Sequence, residues 1–220
     1  MAKMPDIVVS IRAREDIDGV ELERRAFQID GMKVEKRADG AGELRLIVGH
    51  AAVFNQWVDI GGWFQERVAP GAFARAIQED DVRSLFNHDP NYPLGRNKAG
   101  TLTLAEDENG LLSTTTPPDT SYARDLLVSI ERGDVSQMSF GFRVRKQEWD
   151  ESGDMLKRTI TEVELFDVSP VTFPAYPQTD VGLRVLEAYR KEHAEARGLT
   201  TSNASAIVRK LKQRARTHGY

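Results

Sequence analysis

The chain has 220 residues, 40% hydrophobic and 29% charged, with a formal net charge of −4: ordinary values for a globular protein with one substantial core, and no electrostatic case for a dedicated nucleic-acid binder. It contains no cysteine, which excludes a disulfide framework, a thiolate zinc site and a cysteine nucleophile. The opening stretch MAKMPDIVVSIRARED carries too short an apolar run for a signal-peptide core or a bilayer span, so a cytosolic chain is expected.

Residues 1–20 are expected to form a flexible lead-in. From Ala26 to Asn55, apolar and polar residues alternate on either side of RADGAGE, the pattern of an antiparallel hairpin. The segment GAFARAIQED follows Pro70 and sets Phe73, Ala76 and Ile77 at helical spacing. After SLFNHDPNYPLGR, a strand-like end running into a proline-rich loop, the segment GTLTLAEDENGLLSTTTPP predicts a second hairpin around DENG. Residues 119–133, DTSYARDLLVSIERG, predict a helix: Asp119 and Thr120 are cap candidates, Ala123, Leu126, Leu127 and Ile130 share one face, and Gly133 stops it. QMSFGFRVRKQEWD and LKRTITEVELFDVSPVTF predict two paired strands joined across ESGD. Beyond Pro177, VGLRVLEAYRKEHAEARG and ASAIVRKLKQRARTHG predict two helices separated by LTTSN, the second of them basic. The fold class is therefore α+β: a mostly antiparallel sheet closed into a barrel or sandwich, helices on its flanks and the tail helices outside.

Ser139 raises the sharpest chemical question. It lies in QMSFGFRV, where a residue that merely filled a core would be valine or isoleucine, because burying an unpartnered hydroxyl costs about 1–3 kcal/mol. Gly141, two residues on, leaves room for another backbone to approach, as a substrate would, which favours an accessible hydroxyl. Of the four histidines, His193 and His218 belong to the polar C-terminal region, and His50 sits within a strand pattern that suits a structural role. His88 instead follows an apolar strand end and precedes a loop, a place from which a rigid element hands a polar side chain to a cleft. In TEVELFDVSPVTF, period-two alternation puts Glu162 and Glu164 on one face and Asp167 on the other, between Phe166 and Val168, where a buried charge needs a partner. A serine needs a base to act as a nucleophile, a histidine accepts that proton, and a carboxylate fixes the imidazole tautomer. His88, Ser139 and Asp167 form one such set. No G-x-S-x-G, H-E-x-x-H, phosphate-loop or G-x-G-x-x-G motif is present.

Together, GHAAVFN, ERVAPGAF, LFNHDPNYPLGR, DTSYARDLLVSIERGDVSQMSFGF and LFDVSPVTFPAY resemble the prohead proteases of tailed bacteriophages, in order from about Arg25 to about Leu183. That family is similar in fold to the herpesvirus assemblins, so the resemblance implies an assemblin-like β-barrel at residues 21–184, followed by a helical basic extension at residues 185–220. Carried over, the histidine of NHD is His88 as general base and the serine of MSFGF is Ser139 as nucleophile. The family motif usually has glutamate where this chain has Asp167, which leaves Glu164 as its rival for the acid. The assemblins use a second histidine there, for which His50 is the candidate, although the family position is more often aromatic. The resemblance further implies a serine endopeptidase that cleaves the scaffold region of the major capsid protein and its own chain. It would act inside the procapsid in the host cytoplasm, or in the bacterial cytoplasm if encoded by a prophage. No cofactor, metal, membrane or specific nucleic acid is implied, and a homo-oligomer is left open. The alternative is an inactive capsid-assembly or scaffolding protein with the same fold.

Overall fold

The computed structural model describes residues 22–27, 31–39, 42–173 and 179–196. Two compact units divide the chain, Met1–Gln178 and Thr179–Tyr220. Among the described residues the first holds eleven strands and two α-helices: β1 (Glu23–Phe27), β2 (Lys33–Asp39), β3 (Gly42–Val53), β4 (Val58–Ile60), β5 (Phe64–Val68), α1 (Ala74–Glu79), β6 (Arg83–Phe86), β7 (Asp89–Arg96), β8 (Leu102–Glu106), β9 (Gly110–Thr115), α2 (Ser121–Arg132), β10 (Gln137–Asp150) and β11 (Lys157–Val171). The described part of the second is α3 (Thr179–Ala196). The tail helix expected after LTTSN and the expected lead-in at residues 1–20 lie outside the described residues.

β10 and β11, 14 and 15 residues long, are the spine of a seven-stranded sheet ordered β1-β10-β11-β5-β4, with β6 and β7 branching from β11. A four-stranded sheet runs β2-β3-β9-β8. The described strands thus make the expected α+β fold, but its two sheets do not close into a barrel, which corrects the expected assemblin-like β-barrel. The reason lies in β11, which changes neighbours along its length. Its first part pairs parallel to β5 through Lys157–Ile160, and its last part pairs parallel to β6 at Asp167 and Val168. The sheet therefore forks instead of wrapping round.

Strand alternation explains the core. Phe140 and Phe142 on β10 are fully buried and stack with ring centroids 4.6 Å apart, and Phe73 meets Phe140 edge-on at 5.4 Å. Burying each such ring contributes about 1.5–3 kcal/mol. Their neighbours Ser139 and Gly141 consequently point to the opposite face. α2 packs its apolar stripe of Ala123, Leu126, Leu127 and Ile130 against Ile47 of β3 and Leu94 of β7. It ends at Gly133, whose φ of 82° closes the helix through its N–H on the Ile130 and Ser129 carbonyls. Both hairpins around RADGAGE and DENG form, as β2–β3 and β8–β9.

The strands flanking the spine are joined by buried charges. The Arg25 guanidinium donates to Glu66 at 2.6 Å and to Glu23 at 2.5 Å, and Arg158 donates to the same carboxylates at 2.7 and 2.9 Å. Two cations and two anions, all buried, cross-link β1, β5 and β11.

Candidate active site

Three strands and one turn build the site. On β10, Ser139 stands opposite Ala26 of β1 and Ser169 of β11. Two residues along, Gly141 stands opposite Asp167. His88 comes from the β6–β7 hairpin, whose loop is the pair Asn87 and His88 between the partners Phe86 and Asp89. Both loop residues have positive φ, 55° and 57°, the type I′ geometry that matches strand twist and that Asn and His tolerate better than most residues.

The imidazole links the two strands. His88 Nδ1 lies 2.5 Å from Asp167 Oδ1, and His88 Nε2 lies 2.7 Å from Ser139 Oγ. Ser169 Oγ donates to the same Asp167 oxygen at 2.6 Å. Burial would raise the Asp167 carboxyl, but the charge and hydrogen bond of His88, the Ser169 hydroxyl and the charge of Arg24 outweigh it and hold the group below its ordinary value. An ionised Asp167 only accepts, so the proton of the neutral ring belongs on Nδ1 and the Nε2 lone pair faces the serine hydroxyl. Chemically, the arrangement can take a proton from Ser139 and carry the resulting imidazolium against a fixed negative charge.

The Asp167 carboxylate reaches this place through two local irregularities. Phe166 is an extra residue in β11, since Gly141 pairs with Asp167 while Phe142 pairs with Leu165. Such a bulge re-aims the side chain beside it. It also overturns simple alternation: Glu164 and Asp167 stand opposite Arg143 and Gly141, two apart on β10, and so share a face. The second irregularity is an absent side chain. A β-carbon at Gly141 would collide with Asp167 Oδ2, so the space that the sequence suggested for a substrate backbone is filled by the carboxylate. Nor is the serine accessible as expected: Ser139 has no exposed surface, with His88 at 8% and Asp167 at 5%.

The other candidates lie elsewhere. Glu164 pairs with Arg143 at 3.7 Å and is partly exposed. His50, on β3 of the other sheet, sits 2.8 Å from Asp107 Oδ2. His193 falls within α3 but its side chain is not described, and His218 lies outside the described residues. Sequence reasoning missed Ser169, although its two-residue spacing from Asp167 on a strand was a usable signal. It also missed Arg24, whose place opposite Gly141 depends on the pairing of β1 with β10.

Residues 32–193 match the family model of the caudovirus prohead serine proteases. The chain belongs to that family. Over 198 residues it is 30% identical to the prohead protease of Enterobacteria phage HK97, covering 84% of this chain and 83% of that one. The solved structure of the bacteriophage T4 capsid assembly protease superposes with a TM-score of 0.44 and 12% identity over 77% of this chain and 99% of that one, a likeness too loose to bear on the site. Membership places the chain among capsid-maturation proteases of the serine type. The residues brought together here are the ones that the resemblance assigned to the NHD and MSFGF motifs, with the carboxylate from FDVSP.

Proposed function

We propose that this protein is a serine endopeptidase that cleaves the scaffold region of a major capsid protein, and its own chain, inside the procapsid in the host cytoplasm. Family membership supports the reading, and the observation that carries it is the unbroken chain of contacts from Ser139 Oγ through the His88 ring to Asp167. In this reading Ser139 Oγ attacks the scissile carbonyl carbon while His88 Nε2 takes the hydroxyl proton. Backbone N–H groups stabilise the tetrahedral oxyanion. As the C–N bond breaks, His88 returns the proton to the leaving amine, leaving an acyl-serine. Water then attacks the ester carbonyl and gives a proton to Nε2; as the C–Oγ bond breaks, His88 returns that proton to Oγ and the acid product leaves. Asp167 keeps its negative charge throughout.

Co-expressing Ser139→Ala with the capsid protein tests the proposal. The expected outcome is procapsids that assemble and retain uncleaved capsid protein and full-length protease. Processing that continues at the wild-type rate would overturn the enzyme and leave an assembly factor.

A further inference from the structure

Asn87 is accounted for in part by its backbone, since a two-residue type I′ loop favours Asn. That preference asks nothing of the side chain, yet here both ends of the amide are used. Asn87 Nδ2 donates to Thr172 Oγ1 at 3.2 Å, and the Thr172 N–H donates to Asn87 Oδ1 at 2.8 Å. The Asn87 backbone N–H adds a bond to the Pro170 carbonyl at 3.0 Å. One reaches β11, the strand of Asp167, at Pro170, which stands opposite Met138, the neighbour of Ser139, and two reach Thr172, the residue just past its last.

The base of the hairpin is anchored by Leu94 and Phe86 against the α2 cluster, but backbone ladder pairing to β11 does not extend to its tip. β6 pairs with β11 only through Arg83 and Ser84, and the β6–β7 ladder itself shifts register on both sides of Leu85. From Ser84 the chain must run out through Leu85 and Phe86 before turning, and a small rotation of that arm would swing the imidazole off both of its partners. We infer that Asn87 is a positioning residue that locks the His88 ring in register with Ser139 and Asp167 by clamping the hairpin tip to Pro170 of β11 and to Thr172 just past it. The inference rests on the reading of Ser139, His88 and Asp167 as the reacting set.

The test uses the full chain and a fluorophosphonate probe, which labels only a serine activated by its base. Saturating rate constant and half-saturating concentration are measured separately, with melting temperature alongside. Asn87→Gly keeps the positive φ and deletes both side-chain bonds. It is expected to lower the saturating rate by about tenfold to a hundredfold, as a misplacement of about 1 Å does, with the half-saturating concentration unchanged. Thr172→Val, which removes Oγ1 but keeps the branched shape and the N–H, is expected to give a smaller loss. Thr172→Ser restores the rate, and adding Thr172→Val to Asn87→Gly costs nothing more. If both Asn87→Gly and Thr172→Val label at the wild-type rate, or if they slow only in proportion to lost folding, the positioning role is wrong while the reacting set stands. A wild-type chain that is never labelled at Ser139, together with Ser139→Ala procapsids that process their capsid protein normally, overturns the reacting set itself.

Discussion

Gly141 and Asp167 show how one residue's missing atoms become another's place. Any β-carbon at position 141 enters the volume of the Asp167 carboxylate, so Gly141→Ala is expected to push that carboxylate off His88 while the strand, in extended backbone, accepts alanine. The proposed peptidase activity should fall by about a hundredfold with a melting temperature close to wild type; a drop in both together would mean that the glycine serves the fold and not the site. Asp167→Asn keeps the shape but removes the charge that opposes the imidazolium and fixes the tautomer. A loss of about 10³ to 10⁴ in turnover is expected, and a variant that retains near-wild-type turnover would return the acid role to Glu164. At this scale the sequence was legible where chemistry demanded an odd residue: a serine between Met138 and Phe140, a histidine at a turn, a carboxylate beside Val168. It was silent on Ser169 and Asn87, because serine near a strand end and asparagine in a turn are ordinary, and only their partners make them otherwise.

The elements carry the same lesson in their irregularities. Helix α2 could be read from spacing alone, as its four apolar positions on one face are also its buried ones. β7 could not, because Pro90 and Pro93 pointed to a loop; the segment instead pairs only with β6, and an edge strand tolerates residues that cannot donate. β4 and β5 were passed over because three and five residues give too little pattern. The bulge at Phe166 left no trace in the residues either, and it decides which face Asp167 occupies. Asp80 holds it: Oδ2 accepts the Leu165 N–H at 2.8 Å beside the extra residue, and Oδ1 takes Arg145, the extra residue of β10, at 2.9 Å. Asp80→Ala leaves that partly buried N–H without an acceptor and should cost about 1–3 kcal/mol in urea denaturation. Amide exchange should quicken first at Leu165. Uniform quickening across β10 and β11 would show that Asp80 supports the sheet generally and not the bulge.

Over the whole molecule, the fork of β11 was invisible in the sequence for the same reason that the buried ion network was: Glu23 and Arg158 are 135 residues apart, and nothing local couples them. Burial alone would raise the Glu23 carboxyl, but the nearby Arg158 and Arg25 charges and their hydrogen bonds bring it down from 4.5 to about 2. Because the folded value lies below the unfolded one, the group contributes stability that is fully present above pH 4.5 and is lost as pH falls towards about 2. The size is about 3 kcal/mol at neutral pH, taking 1.4 kcal/mol per pH unit. Glu23→Gln leaves two guanidiniums facing a single carboxylate, so the variant should be destabilised at pH 7 by about 3–5 kcal/mol. The informative quantity is how that gap changes with acid. The wild type sheds the contribution of Glu23 as its carboxylate protonates, whereas the amide has nothing to titrate, so the two denaturation curves should converge between pH 4.5 and about 2. A gap that stays constant across that window would mean that Glu23 stabilises β1 by shape and hydrogen bonding alone, and that its charge contributes nothing to holding the strand beside Ser139.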